Sequence, residues 1–422
     1  MYALEYADEK EGLMRFAIFT HVEHKEREGW YYAYAPYVRE MNIWWNHVEE
    51  VEMIAPLTTW ERGASGTEEL GGGVIRYEHS KLTFNEIPSF NFLSFLSAVK
   101  AFIKIPYIFF KMFGAMRRAD HLHLRCPGNI GLLACICQVF FPSKPKSAKY
   151  AGNWDPQSVQ PWTYRLQKWI LSNSFLTRNM QVLVYGQWPG QSKNVVPFFT
   201  ASFSKKEIAE VPEKAFSEHL IFLFVGNLVK GKRPLEAVKL VEAINSVSEN
   251  GTNREICASL HIYGVGPERK RLEKYVTKNE LEEIVIFKGN RPIEELKEAY
   301  QKAHFVILPS MSEGWPKAIA EGMFFGGIPI ATPVSCVPWM LKYGSRGVLL
   351  EDCCQQPTAN SQQLKRSGQR TENRGQDVAK ILKLLTDQEE MKRMSEEAKK
   401  WSQEYTLERF EEAIKEVLNN KK

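Results

Sequence analysis

Residues 305–327 read FVILPSMSEGWPKAIAEGMFFGG. The apolar run 305–308 suits a short strand covered on both faces. A polar turn carrying Glu313 and Gly314 follows, and Pro316 stands where a helix opens. Proline is tolerated in a first helical turn because the N–H it lacks has no intrahelical partner there. Residues 316–325 then read as helix. Strand, turn and helix in this order form the half-unit of a parallel α/β sheet. The free amides of the first turn point out of the sheet's carboxyl edge, where such sheets take ligands. Unpaired N–H groups and a partial positive charge there suit a diphosphate.

The same alternation runs through the chain. Strands are expected at 15–19, 51–55, 121–124 and 182–185 in the first half, and at 220–225, 260–263, 284–287 and 328–331 in the second. Helices are expected at 234–247 and 293–303. Two such series predict an α/β protein with two Rossmann-like, doubly wound domains, and a length of 422 residues separately fits two domains. The expected division is 1–200 for the first domain, 201–217 for a polar linker interrupted by Pro212, and 218–400 for the second. Residues 401–422 are expected as a helix returning to the first domain. Residues 352–376 are rich in Gln, Asn, Ser and Arg and are read as a mobile surface loop.

Composition narrows the class. A 44% hydrophobic and 25% charged chain is typical of a soluble globular protein, and a mean hydropathy of −0.34 argues against a multi-spanning one. Glu5, Asp8, Glu9 and Glu11 precede any apolar run, the wrong charge for a secretory signal, so the cytoplasm is expected. A net charge of +5 fits a small anionic ligand or an anionic membrane surface, and no nucleic-acid motif occurs. The seven cysteines include no CxxC pair, so reduced, buried thiols are expected. Residues 92–114 are the most apolar stretch, but Lys100, Lys104, Lys111 and Pro106 make spanning a bilayer costly. Two readings stay open. The stretch 92–118 is either a buried helix pair or a cationic, aromatic surface helix lying on anionic lipid at the inner face of the cell membrane.

The chemistry converges on the second half. Glu313 precedes the helix and Glu321 lies in its second turn, so two carboxylates line one cleft at different depths. A carboxylate accepts from two vicinal hydroxyls at once, which suits ribose or a hexose. Two glutamates near a helix start are by themselves ordinary surface charges. Upstream, FVGNLVKGKRP (224–234) is again strand, glycine-bearing loop and helix, with Lys230 and Lys232 placed for phosphate. HIYGVGPE (261–268) ends a strand in Gly264 and Gly266, and FKGNR (287–291) precedes a further helix.

The order and spacing of these four motifs resemble the C-terminal domain of the family 4 glycosyltransferases, the group 1 retaining enzymes of the GT-B fold. Their E-x7-E motif matches Glu313 and Glu321, with the glycine-rich exit at Gly326 and Gly327. The resemblance implies two domains facing across a cleft and transfer of a sugar from a nucleoside-diphosphate sugar with retention. Glu313 would hold the transferred sugar, Lys232 would neutralise the leaving phosphate, and Glu321 would bind the ribose. The amides of Gly314, Trp315, Lys317 and Ala318, shaped by Pro316, would receive the diphosphate. Gly226, Asn227, Arg233, Gly264 and Arg291 would complete the donor site. The family often has arginine where Asn227 stands, and glycine where Arg233 stands. Beyond the donor substrate no cofactor is expected, and no DxD motif implies a metal.

In the first half, His21 and Asn153 are the weaker acceptor-side candidates, each after an expected strand. His24, Asp155 and Arg125–Asn129 border the same edge. His121 and His123 fall on one strand face and read as core, and Cys126 is not needed as a nucleophile. Trp154, Trp162, Trp169 and Trp188 cluster in sequence and suit either sugar stacking or the core. The favoured function is transfer to a saccharide or lipid-linked acceptor in cell-envelope polysaccharide biosynthesis. Another GT-B enzyme (epimerase or phosphorylase) and a silent nucleotide-sugar-binding protein are the alternatives.

Overall fold

The computed structural model describes residues 14–59, 73–90, 95–211, 213–216, 219–249, 257–351 and 363–420. Its first sheet has seven strands in the order Val195–Phe198, Met180–Tyr185, Lys146–Tyr150, His121–Cys126, Arg15–Phe19, Glu50–Ala55, Leu82–Glu86. All neighbours pair parallel. The second has six, in the order Val285–Gly289, Cys257–Tyr263, His219–Val225, Phe305–Leu308, Ile328–Ala331, Val348–Leu349, again all parallel. In both sheets the chain starts in the middle, builds outward on one side, then crosses back to build on the other. That reversal leaves a crevice at the carboxyl ends of the two central strands.

Every expected strand is present, with ends moved by a few residues. The strand Phe305–Leu308 and the apolar interior of its neighbours are fully buried, as sheets covered on both faces require. A further small sheet orders Leu57–Thr58, His24–Arg27, Trp30–Tyr34 and Val74–Arg76. Its hairpin turns at Glu28 and Gly29, both at positive φ.

The apolar stretch forms a single helix, Phe95–Arg118, rather than a buried helix pair. Its inner face, Ile108, Met112, Ala115 and Met116, is buried, whereas Ile103 is 76% and Phe110 73% exposed. Among the described residues no helix is long and apolar enough to cross a membrane.

The expected loop 352–376 is corrected in its second part. A helix runs Gln363–Leu385, while 352–362 lie outside the described residues. Its far end is anchored by buried Val378, Ile381, Leu384 and Leu385. Arg374 reaches Glu236 of the helix Pro234–Glu249 at 2.8 Å. The helix continues from its packed end, where those apolar anchors and the Arg374–Glu236 pair hold it.

The segment after Phe198 carries a short 3-10 turn, Lys205–Glu210, closed by a Ser204–Glu207 capping box. The chain crosses back at its end. Helix Leu407–Asn419 places Phe410 against Phe198 and Phe199 and pairs Glu411 with His47 at 2.9 Å.

Candidate active site

The reversal of strand order in the second sheet falls between His219–Val225 and Phe305–Leu308, which pair directly. The loops leaving these strands are therefore forced apart around one crevice. They are the two loops singled out by their glycines, lysines and glutamates. Met311 N donates to Gly231 O at 2.8 Å and ties one loop to the other. Across that junction Lys232 Nζ meets Glu313 Oε1 at 2.5 Å, the glutamate buried and the lysine half-buried. A half-buried cation held by one carboxylate oxygen keeps its remaining N–H groups for an anion entering the crevice.

The helix begins at Lys317, with Pro316 as its cap rather than inside its first turn, and runs to Phe324. The first amides to find a backbone acceptor are those of Ile319 and Ala320, both on Pro316 O. Those of Lys317 and Ala318 have no intrahelical acceptor, as in any first turn. The indole of Trp315 is turned into the core, between Tyr185 and a cluster of Trp339, Trp401 and Tyr405, which leaves only its amide for a ligand. Gly314 sits so close to the first domain that a Cβ there would lie 2.6 Å from Ala151 O. Only glycine allows that approach.

Glu321 is clasped on both oxygens. Ser202 Oγ donates to Oε1 at 2.5 Å and the Tyr300 hydroxyl to Oε2 at 2.8 Å. Tyr300 is fully buried, so the second bond is shielded from water. A carboxylate has roughly four acceptor positions, so these two bonds orient the group and leave capacity for a diol.

The remaining residues expected at the donor site are placed differently from one another. Asn227 is exposed at the loop tip behind Gly226. Arg233 takes the left-handed conformation, φ 52 and ψ 48, that a glycine adopts freely. Gly264 serves packing: a Cβ on it would fall 2.0 Å from Gly226 O, so it lets the two glycine loops stack backbone to backbone. Arg291 donates from Nε to Lys288 O and lies 3.6 Å from Glu295.

Facing Glu313 across the crevice is a cavity of ≈ 320 Å³, walled by Ser312, Glu313 and Gly314 on one side and by Pro127, Asn153, Gln160 and Tyr164 among others of the first half. Asn153 reaches it, but its side-chain oxygen is spent on Asp155 N at 2.9 Å. Gln160 braces this wall, accepting from the Tyr150 hydroxyl and donating to Ser158 Oγ and to Asn153 O. His21 is exposed and packs against Gly128 beside Pro127. His24 is instead buried, its ring nitrogen 2.8 Å from the Tyr77 hydroxyl.

His121 and His123 are core residues sharing the Ser147 hydroxyl, each at 2.8 Å. Cys126 is buried with its sulfur 3.7 Å from that of Cys135. Cys126, Cys135, Cys137, Cys257 and Cys336 are all free thiols. Trp154 is buried, while Trp162 and Trp169 are 58% and 60% exposed. Among the described residues no group of three or more His, Cys, Asp or Glu side chains is placed to hold a metal ion.

One cluster was not foreseen. Glu40 is 5% exposed, and its Oε1 takes both Arg125 Nη1 at 2.8 Å and Lys149 Nζ at 3.0 Å. Burial alone would raise its pKa, but Arg125, Lys149 and Lys317 overcome that and hold it at about 2. Burial lowers Lys149 to about 8 against the pull of Glu40. The four residues come from distant parts of the sequence and bring the helix-opening Lys317 under the influence of the first domain. Their spacing carries no signal, and neither does that of Ser202 and Tyr300 with Glu321.

Two parallel sheets of this order, facing across a crevice with the motif loops at its edge, define the GT-B class of glycosyltransferase folds. The solved structure of Alr3699/HepE from Anabaena in complex with UDP shares it: TM-score 0.58 at 14% identity, covering 96% of this chain and 99% of that one. More particularly, residues 205–367 match the model for glycosyl transferases group 1. An uncharacterized glycosyltransferase of Methanocaldococcus jannaschii, MJ1178, is 28% identical over 196 residues, 46% of each chain. The putative colanic acid biosynthesis glycosyltransferase WcaL of Escherichia coli is 28% identical over 147 residues, 33% of this chain and 34% of that one. The matched part thus spans less than half the length of these curated relatives.

Proposed function

We propose that the chain is a retaining family 4 glycosyltransferase, moving a sugar from a nucleoside-diphosphate sugar to a saccharide or lipid-linked acceptor in cell-envelope polysaccharide biosynthesis. The observation that carries this reading is the Lys232–Glu313 pair at the helix opening, set against a cavity walled by the other half of the chain. The group 1 match over 205–367 and the WcaL likeness support it.

In this reading the second sheet and its helices, 218–400, hold the donor, 1–200 presents the acceptor, and 201–217 joins them. The diphosphate docks on the amides around Trp315, Lys317 and Ala318, with Gly226, Asn227 and Arg233 across from it. Glu321, clasped by Ser202 and Tyr300, takes the ribose, and the base lies toward Gly264 and Arg291. The acceptor hydroxyl, brought in past Asn153 and His21, bonds to the anomeric carbon on the face the phosphate leaves, as the carbon–oxygen bond to phosphate breaks and the hydroxyl proton passes to the departing diphosphate oxygen. The bonding pair leaves with the diphosphate. Lys232 and the helix amides, preorganised in the crevice, stabilise that charge where it develops, without a resident metal. Glu313 holds Lys232 in place and contacts the sugar being transferred.

In the same reading the enzyme sits on the inner face of the membrane through the helix Phe95–Arg118. Ile103, Tyr107 and Phe110 fall on one exposed face, flanked by Lys104 and Lys111, the composition of an interfacial helix.

The test is a thermal-shift screen across UDP-, GDP- and ADP-sugars, followed by turnover of the donor that raises the melting point. Glu313→Gln is expected to lower turnover on the order of a hundredfold, the scale of losing one preorganised charge contact. Equal turnover in Glu313→Gln and the wild type would refute the assignment.

A further inference from the structure

The cavity that Glu313 lines also reaches the first turn of a helix in the first half of the chain. Pro161 and Tyr164 line the cavity, and they are the cap and third residue of the helix Trp162–Ser172. The inner face of that helix is buried through Thr163, Gln167, Ile170 and Leu171. Gln167 also accepts from Gly128 N at 3.2 Å, fixing the helix to the residue that follows cavity-lining Pro127. Its outer face carries Trp162, Arg165 and Trp169, all exposed, with Val159 75% exposed just before it. Positions separated by three, four and seven residues share one helix face. Seven residues at the helical rise set the two indoles ~10 Å apart along it.

Single exposed apolar residues are ordinary. Two tryptophans in line, starting at the rim of a substrate cavity and rigidly based, are a different observation. Lys168, on the same helix, donates to Asp155 O at 2.9 Å and lies over the buried Trp154 ring, so loop and helix move as one body. An indole face matches the C–H face of a pyranose ring while the ring's hydroxyl edge stays wet, and a guanidinium between two such faces donates to hydroxyls. Place in the fold favours saccharide over lipid: the two indoles lie on the helix whose first turn lines the substrate cavity, whereas the face of Ile103, Tyr107 and Phe110, flanked by lysines, belongs to another helix.

Resting on the function proposed above, we infer that Trp162, Arg165 and Trp169 form a saccharide track outside the cavity. The acceptor is then a glycan of several sugar units whose reacting end enters past Tyr164 while its earlier units stack on the helix. Such a surface makes the enzyme an extender of existing chains, favouring long acceptors over short ones.

The experiment uses the full chain, its cognate nucleotide sugar and oligosaccharides extracted from the source cells, separated by size. Release of nucleoside diphosphate is followed with and without each fraction, for the wild type, Trp169→Ala and Trp162→Ala/Trp169→Ala, with Trp→Tyr at both positions as the aromatic control. The expected result is acceptor stimulation that grows with chain length in the wild type. The KM for long fractions rises about tenfold with one alanine and on the order of a hundredfold with both, and the tyrosine variant recovers most of it. A double-alanine variant that keeps the wild-type length preference overturns the inference, as does a wild type that shows none. Loss of vesicle binding in that variant without any change in acceptor KM overturns it too, and assigns the face to lipid. A wild type that turns over no nucleotide sugar at all instead removes the transferase reading itself.

Discussion

Replacing Glu40 by glutamine keeps the shape of the side chain and removes the charge on which Arg125 and Lys149 both converge. Lys149 is fully buried and Arg125 nearly so. Their two charges would then face each other without a counter-ion. Breaking a buried pair by removing one partner typically costs ~3–5 kcal/mol. For domains of this size that corresponds to a drop in melting midpoint on the order of 10 °C. The loss should depend on pH. Burial already lowers Lys149 from 10.5 to about 8 with the carboxylate in place, and without it the value falls further. Between the lowered folded value and the unfolded one, the unfolded chain binds more protons, so stability rises with pH across that window. In Glu40→Gln the window opens at lower pH. The gap to the wild type should therefore be widest in mild acid, narrow as pH rises toward 8, and stay constant above it. Scanning calorimetry at about pH 6 and about pH 9 measures this, with Glu40→Gln/Lys149→Met as the companion variant that removes the stranded cation. A midpoint for Glu40→Gln within roughly 2 °C of the wild type at both pH values would refute the reasoning. So would a companion variant that recovers nothing.

Glu321→Ala should raise the Kd for UDP or GDP about tenfold or more in calorimetric titration, and Tyr300→Phe about three- to tenfold, because the buried hydroxyl only orients the carboxylate. Unchanged affinity in Glu321→Ala would remove the ribose assignment, and in Tyr300→Phe the clasp. Burial lowers His121 to about 3 and His24 to about 4 from 6.5. The unfolded chain therefore binds more protons just below 6.5, and the stability held by each ring above that pH is lost as pH falls toward its folded value. Urea midpoints should fall between about pH 6.5 and 4, with roughly 2–3 kcal/mol at stake per ring near pH 4.5, and His121→Gln should flatten that limb. An identical acid limb in the variant would count against a neutral, buried His121. Lys104→Glu/Lys111→Glu should abolish co-sedimentation with vesicles containing anionic lipid, with a fall of only a few degrees in the melting midpoint from losing the bonds of Lys104 to Ser89 O and of Lys111 to Glu86 O. Undiminished sedimentation would mean the helix face meets something other than lipid.

The strands were legible because parallel sheets covered on both faces need continuous apolar runs. Phe305–Leu308 and Ile328–Ala331 satisfy that with no polar interruption. The small sheet was missed because its hairpin turns on Glu28–Gly29, both left-handed, whereas the pairs that usually announce such a turn begin with Asn, Asp or Gly. The helix from Gln363 was missed because its apolar anchors lie at its far end and its first turns are polar.

The sequence alone singled out the two segments on which the proposed donor site rests. A diphosphate site needs glycine, lysine and a helix opening within a few residues of one another, and that local pattern survives in one dimension at 226–233 and 309–321. Strand order, and hence the meeting of those two loops at a single crevice, was decided by the tertiary fold. So were the partners of Glu321, the Glu40 cluster, and the sorting of Trp154 into the core and of Trp162 and Trp169 to the surface. These depend on which surfaces the long-range packing brings together or leaves in water, and residues a hundred positions apart have no spacing that records it.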